Sequence, residues 1–164
     1  MKRSFLEIPV ATRDGVFITR YSEKGLAELN FPNSRTSARG AKKEVVPAKI
    51  RGWHRVAEAA LKNILAGRAA KKLPPLDWAG KTEFQKSVWR ALLKIPAGGT
   101  KSYGEVAAAI GRPKAVRAVG GACGANPIPV LVPCHRVLAA NGKIGGFSGG
   151  LDWKRRLLAS DDTL

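Results

Sequence analysis

A stretch without helical or strand periodicity divides the chain near its middle. It covers residues 67–81 and contains the pair Pro74 and Pro75. Proline fixes its own backbone torsion and removes a hydrogen-bond donor, so no helix or strand is expected to continue through this stretch. A chain of 164 residues is long enough for one domain or two small ones. We therefore predict two domains, residues 1–75 and residues 76–164.

The first domain has the pattern of a small antiparallel sheet followed by a helix. Strand-like segments at 16–21 and 26–31 flank the turn sequence 22–25, which predicts a β-hairpin. Residues 33–47 are rich in Ser, Arg and Lys and predict a loop. Apolar residues then recur at helical spacing over 48–66, so we expect a helix there.

The second domain is predicted to be mainly helical. One helix starts after Thr82, and two short helices over 102–111 and 114–124 flank the turn at Arg112 and Pro113. Two short helices joined by a tight turn have the dimensions of a helix-turn-helix, although many such hairpins bind nothing. The last of these helices is rich in Ala and Gly, which a close approach to another surface would explain. The expected fold class is α/β in the α+β sense.

The charge of the chain suggests a polyanionic partner. The formal net charge is +17, of which +9 belongs to the first 79 residues and +8 to the rest. An excess spread through the whole chain favours nucleic acid, while a solvated surface or an anionic membrane surface stays an alternative. No apolar run approaches the roughly 20 residues that cross a bilayer, and no secretion signal is evident. We predict a cytoplasmic protein with no membrane association.

The sequence Pro133-Cys134-His135-Arg136 is the strongest candidate for chemistry. It follows an apolar run of β-branched residues and prolines, so the thiol is expected to emerge from a rigid, mostly buried segment. A nearby imidazole and a cationic side chain both favour the thiolate, which is the nucleophilic form. Residue types alone leave a structural cysteine beside a satisfied histidine about equally plausible. The other cysteine, Cys123, is expected to be a small packing residue.

The blocks around this cysteine resemble the O6-alkylguanine-DNA alkyltransferases in order and spacing over residues 82–160. The matching blocks are 124–129 with 133–137, Phe84 to Gly98 with Ser102-Tyr103, 115–120, and 147–158. The resemblance implies irreversible transfer of an alkyl group from O6 of guanine or O4 of thymine in DNA to a cysteine, in a single turnover without a cofactor. It also implies a ribonuclease-H-like N-terminal domain.

The same resemblance implies a role for each matching site residue. Cys134 is the acceptor, His135 is its base acting through a water, and Asn126 braces the active-site turn. Tyr103 donates a proton to the departing guanine. The family's last helix ends with a glutamate that orients the histidine, and Asp161 stands at that position, one methylene shorter.

DNA contacts and a base pocket follow in the same way. Arg117 matches the arginine that enters the base stack when the target nucleotide is rotated out through the minor groove. Tyr103, Arg112 and Lys114 are the other expected DNA contacts. The expected pocket residues are Pro129, Val137, Phe147, Ser148 and Gly149.

Several expectations about partners complete this interpretation. The partner is double-stranded DNA containing O6-alkylguanine, and the protein is predicted to be a monomer. Both cysteines lie in the second domain, so we predict no zinc or other metal. A lesion sensor without transfer activity and a helix-turn-helix regulator are the alternatives, and a cysteine hydrolase is a third that the flanking blocks disfavour.

Overall fold

The N-terminal part is a three-stranded antiparallel sheet with one helix against it. The computed structural model describes residues 4–32 and 45–162. Its first elements are β1 (Leu6–Thr12), β2 (Gly15–Ser22), β3 (Gly25–Asn30) and α1 (Ala48–Leu65), and the strand order is β1-β2-β3. The predicted hairpin and helix are therefore confirmed. Most of the predicted loop over 33–47 lies outside the described residues.

The C-terminal part is mainly helical, as predicted. It contains α2 (Glu83–Leu93), β4 (Lys101–Ser102), α3 (Tyr103–Ala109), α4 (Val116–Gly124), β5 (Val137–Leu138) and α5 (Leu151–Ser160), with β4 and β5 paired in parallel. Capping boxes begin two of the helices: the Thr82 side chain accepts from Gln85 N, and the Ser102 side chain accepts from Glu105 N. These boxes fix where the helices start, and the second one places Tyr103 at the first position of α3.

The segment between α1 and α2 is anchored to the sheet at residues 75–77. It contains no regular helix or strand, as predicted for residues 67–81. Leu26 N–H of β3 nevertheless donates to Pro75 O at 2.8 Å, and Asp77 N–H donates to Leu26 O at 2.8 Å. These bonds cover an edge of the sheet that would otherwise expose unpaired backbone groups. The division at residues 75 and 76 stays a prediction.

Aromatic packing joins the two parts of the chain. The ring of Trp153 in α5 lies 5.5 Å from Phe17 of β2 and 5.1 Å from Phe31, measured between ring centroids. Within the C-terminal part, Trp89 of α2 is fully buried, and its indole N–H donates to Ala122 O of α4 at 2.8 Å. A buried indole needs such a partner, so this bond fixes how α4 packs on α2.

None of the helices within residues 4–32 and 45–162 is long and apolar enough to cross a membrane.

Candidate active site

Asn126 shapes the turn that leads to Cys134. Its Nδ2 donates to Val132 O at 2.8 Å, and its Oδ1 accepts from Ile128 N–H at 3.0 Å. Both bonds are buried, so the amide nitrogen replaces a backbone donor that the surrounding prolines lack, and the amide oxygen gives Ile128 N–H an acceptor. The chain is folded back on itself here, and residues 134–136 form a single turn of 3-10 helix. Cys134 and His135 therefore do not lie on an extended strand, in which adjacent side chains point to opposite faces.

Cys134 is 3% exposed and His135 is completely buried. His135 Nε2 lies 3.2 Å from Asp161 Oδ2. Because an ionised carboxylate can only accept, Nε2 carries the proton in this contact. His135 Nδ1 is then the unprotonated nitrogen, and it has no hydrogen-bond partner among the described residues. The imidazole therefore has a free hydrogen-bond acceptor at Nδ1. His135 directly follows the candidate nucleophile, Cys134, in the sequence.

Arg136 and His135 share the carboxylate of Asp161. Arg136 Nε donates to Asp161 Oδ2 at 2.7 Å, and Arg136 Nη2 donates to Oδ1 at 3.1 Å. A third bond runs from Arg136 Nη1 to Ile95 O at 2.9 Å. A bidentate pair of this kind fixes both side chains in one orientation. Asp161 thus reaches the histidine despite its shorter side chain.

The ionisation of this cluster follows from burial and hydrogen bonding. Burial raises the pKa of the Cys134 thiol, while a hydrogen bond with Asn126 and the charge of Lys154 oppose that rise. Burial lowers the pKa of His135 against the opposing effect of Asp161, so the imidazole is neutral at pH 7. Burial would raise the pKa of Asp161, but the hydrogen bonds from His135 and Arg136 outweigh it and lower that pKa to about 2.

Lys154 is a buried lysine that reasoning from the sequence assigned no role. It lies on α5, is fully buried, and its Nζ donates to Val137 O at 2.8 Å and to Gly146 O at 3.1 Å. Lysine is rarely buried without partners, so these two carbonyls account for its position. The ammonium links β5, which follows the cysteine, to the loop before Phe147. Only its place in the block 147–158 could have marked it in the sequence.

Tyr103 stands at the rim of the site. It is partly exposed at the start of α3, and the loop after β5 passes so close that a Cβ on Gly145 would lie 3.2 Å from the Tyr103 hydroxyl oxygen. Gly145 also has a φ of +70°, which favours glycine. Burial, followed by the neighbouring thiols of Cys123 and Cys134, raises the pKa of Tyr103. The phenol is consequently protonated at neutral pH.

A cavity of about 460 Å³ opens beside this turn. Among the predicted pocket residues, Pro129, Ser148 and Gly149 line it, together with Asn126. Phe147 instead packs against Phe31, with 5.8 Å between ring centroids. Val137 is fully buried within β5 and does not line this cavity. The structure therefore separates the predicted pocket residues into lining residues and residues that support them.

The outer face of α4 carries small side chains and one arginine. Arg117 is exposed, whereas Val119, Ala122 and Cys123 form the buried face, as expected for Cys123. A Cβ built on Gly120, Gly121 or Gly124 would meet no atom within 4 Å. Packing inside this chain therefore does not require these glycines. Their presence lets another molecule approach the α4 backbone closely, next to the exposed Arg112 and Lys114 of the preceding turn.

Within the described ranges, no group of three or more His, Cys, Asp or Glu side chains could hold a metal ion.

Comparison with known proteins relates this site to one family. The sequence model of the 6-O-methylguanine DNA methyltransferase, DNA binding domain, matches residues 83–163. A methylated-DNA–protein-cysteine methyltransferase of Methanosarcina acetivorans is 45% identical over 150 residues, which are 88% of this chain and 90% of that relative. The chain belongs to the methylated-DNA–protein-cysteine methyltransferase family. A second methyltransferase of this family, from Methanosarcina barkeri, is 38% identical, and the alignment covers 99% of this chain and 98% of that relative.

Solved structures extend the likeness to the whole methyltransferase fold. The crystal structure of Mycobacterium tuberculosis OGT in complex with DNA superposes with a TM-score of 0.76 at 37% identity, covering 94% of this chain and 91% of that one. An O6-methylguanine-DNA methyltransferase from Pyrococcus kodakaraensis superposes with a TM-score of 0.66 at 25% identity, covering 96% and 99%. The mixed α/β architecture predicted from the sequence is therefore confirmed.

Proposed function

We propose that this methyltransferase repairs DNA by moving the alkyl group from O6 of guanine, or O4 of thymine, onto Sγ of Cys134. The observation that carries the proposal is the orientation of His135, whose Nε2 is held by Asp161 while Nδ1 keeps a free lone pair. A cysteine buried in apolar surroundings needs such a base, because its thiol is otherwise protonated at pH 7. Family membership supports the same reaction.

The first step is removal of the thiol proton. His135 accepts it at Nδ1 through a bridging water, and Asp161 stabilises the imidazolium that forms. Arg136 keeps the Asp161 carboxylate ionised and aimed at the ring. The Asn126 hydrogen bond and the Lys154 ammonium both favour the thiolate. These groups supply a nucleophile without a metal or a cofactor.

The second step is an in-line displacement at the alkyl carbon. The bond from Sγ to carbon forms as the bond from carbon to O6 breaks, and the electron pair passes into the purine ring. Tyr103 gives its proton to that ring, which restores guanine, and the phenolate that remains is reprotonated through water by the proton that His135 took from the thiol. The net result is that guanine gains the proton that the thiol loses. A phenol whose pKa is raised is protonated and available for this transfer. The thioether does not revert, so each molecule acts once.

DNA enters this scheme through α4. The chemistry requires the target base outside the duplex, at a cost of a few kcal/mol. We assign Arg117 to the space that the base leaves, with the open glycine face of α4 against the minor groove. Arg112, Lys114 and Tyr103 are the further DNA contacts. The protein acts on double-stranded DNA as a monomer in the cytoplasm under this proposal.

The test compares two buried cysteines of one protein. Wild-type, Cys134→Ala and Cys123→Ala proteins are each mixed in excess with a duplex that holds one O6-methylguanine. Loss of the lesion is expected with wild type and Cys123→Ala, because Cys123 only packs beneath α4. Cys134→Ala is expected to bind the duplex and leave the lesion intact. Repair by Cys134→Ala would contradict the proposal, and binding without repair by wild type would support a lesion sensor.

A further inference from the structure

The N-terminal sheet supplies one wall of the cavity beside the active-site turn. Four residues at the end of β3 line it, and five residues of the C-terminal part face them: Glu28, Leu29, Asn30 and Phe31, opposite Asn126, Pro127, Pro129, Ser148 and Gly149. The first group lies outside the residues that match the DNA-binding family model. Residues of the sheet therefore border a cavity whose opposite wall includes three of the expected pocket residues, Pro129, Ser148 and Gly149.

A backbone hydrogen bond ties the sheet to the first side of the cavity. Leu29 N–H of β3 donates to Pro127 O at 2.9 Å. Pro127 directly follows Asn126, whose side chain braces the turn before Cys134. The end of β3 is thus fixed relative to the turn, and Phe31 follows directly after β3.

Phe31 touches the second side of the cavity directly. A Cβ on Gly149 would lie 2.5 Å from Cε2 of the Phe31 ring and 2.8 Å from Cδ2, closer than side-chain atoms approach one another. The ring is 8% exposed and rests on Trp153 of α5 at 5.1 Å between centroids. It is therefore wedged between α5 and the Ser148–Gly149 wall. The volume of this side chain therefore takes up space between β3 and that wall, and a smaller side chain there leaves a wider cavity.

We propose that Phe31 sets the width of the cavity and so the size of the O6 substituent that the protein accepts. This inference rests on the proposed function and deepens it by assigning adduct selection to the N-terminal sheet. Phe31 acts through Gly149 and Ser148 and is a positioning residue. A smaller side chain at this place widens the cavity, which favours an arylmethyl group over methyl. In apolar pockets, changes of one or two carbon atoms alter discrimination by about 10- to 200-fold.

The experiment measures a ratio of rates. Single-turnover transfer is followed from one duplex sequence carrying either O6-benzylguanine or O6-methylguanine, with full-length wild type and Phe31→Leu. The benzyl-to-methyl ratio is expected to rise by about fivefold or more in Phe31→Leu. Phe17→Leu is the matched control, because Phe17 belongs to the same cluster, 5.6 Å from Phe31 and 5.5 Å from Trp153, but does not line the cavity. Its ratio is expected to stay within about twofold of wild type.

A smaller rise in Phe31→Leu, or an equal rise in Phe17→Leu, would overturn the inference. A second pair of variants tests the same contact from the other side. Gly149→Ala places a methyl group against the ring and is expected to slow transfer of both adducts, and adding Phe31→Leu is expected to restore at least half of the loss on a logarithmic scale. A double variant as slow as Gly149→Ala would also overturn it. Failure of the proposed function would look different, because wild type would then transfer neither group.

Discussion

At the level of single residues, the carboxylate of Asp161 determines which nitrogen of His135 can accept a proton. The carboxylate accepts a hydrogen bond from Nε2 at 3.2 Å and a second one from Arg136 Nε. The family resemblance implies a glutamate at this position, and the shorter Asp161 reaches the ring from the C-cap of α5, where it is 6% exposed. Its ionisation at neutral pH is secured by the hydrogen bonds that lower its pKa to about 2.

Replacing Asp161 by Asn tests this arrangement. The amide keeps the size of the side chain but removes the charge that favours the protonated imidazole, so transfer is expected to slow by about 100- to 10,000-fold. Removing one partner of a buried ion pair should also lower the free energy of unfolding by roughly 3–5 kcal/mol. Single-turnover kinetics measured across pH separate the two effects. Loss of the charge lowers the pKa of His135, and so moves the histidine-dependent limb of the pH–rate profile to lower pH, whereas a loss of stability does not.

Asp162→Asn is the matched control. The neighbouring carboxyl is exposed, so rate and pH profile should remain those of wild type. A transfer rate for Asp161→Asn close to that of Asp162→Asn would show that the carboxylate does not position the base.

Residue types could predict the nucleophile and its base, but not the contacts that orient them. Cys134 and His135 are adjacent, and the family resemblance named both together with Asp161. The bidentate hydrogen bonds from Arg136 to Asp161 form only because α5 packs against the active-site turn. That tertiary contact leaves no local pattern in the sequence. The burial of Lys154 is hidden for the same reason, since lysine on a helix is normally solvated.

At the level of elements, local signals placed the helices well and the short strands poorly. Apolar periodicity and the capping residues Thr82 and Ser102 predicted the first residues of α2 and α3 close to those observed. The parallel pair β4 and β5 is two residues long on each strand and joins distant parts of the chain, so no periodicity could reveal it. Local signals did not reveal the turn at 126–133, which only the family resemblance implied, because its folding depends on one amide side chain.

The role of α4 is tested by changing Arg117 to Ala. Without a side chain to fill the vacated stack, transfer from duplex O6-methylguanine is expected to slow by about 10- to 100-fold, which corresponds to a few kcal/mol of base extrusion. Transfer from free O6-benzylguanine base should be unaffected, because no base has to leave a duplex. Both rates are followed in single-turnover assays.

Arg90→Ala serves as the control, since Arg90 is an equally exposed arginine on α2. Equal slowing by the two variants would assign Arg117 to general phosphate attraction. An equal loss on duplex and free base would instead place its effect on the chemical step.

At the level of the whole molecule, the net charge of +17 and two histidines, one buried and one partly buried, govern behaviour in solution. The charge is divided almost evenly between the two parts of the chain, which suits a protein that attracts duplex DNA without reading its sequence. The histidines are His135 in the C-terminal part and His54 on α1, whose Nδ1 lies 2.9 Å from the Tyr21 hydroxyl. Burial lowers the pKa of both imidazoles in the folded protein.

Stability should therefore fall as the pH drops below about 6.5, the usual pKa of histidine in an unfolded chain. The unfolded chain then binds protons that the folded protein resists, and each histidine contributes a slope of up to about 1.4 kcal/mol per pH unit until its folded pKa is reached. Urea denaturation at a series of pH values measures this slope, and His54→Gln should reduce it. A free energy of unfolding that is constant or rises on acidification through this range would be incompatible with the two lowered pKa values.

The most direct test of alkyl transfer to Cys134 is mass spectrometry of the protein after incubation with a duplex containing O6-methylguanine. Intact wild-type protein should gain one methyl group and lose one proton, and peptide mapping should locate that methyl group on Cys134. Cys134→Ala should keep its original mass under the same conditions. A methyl group on Cys123, or an unmodified wild-type protein beside a repaired duplex, would contradict Cys134 as the acceptor.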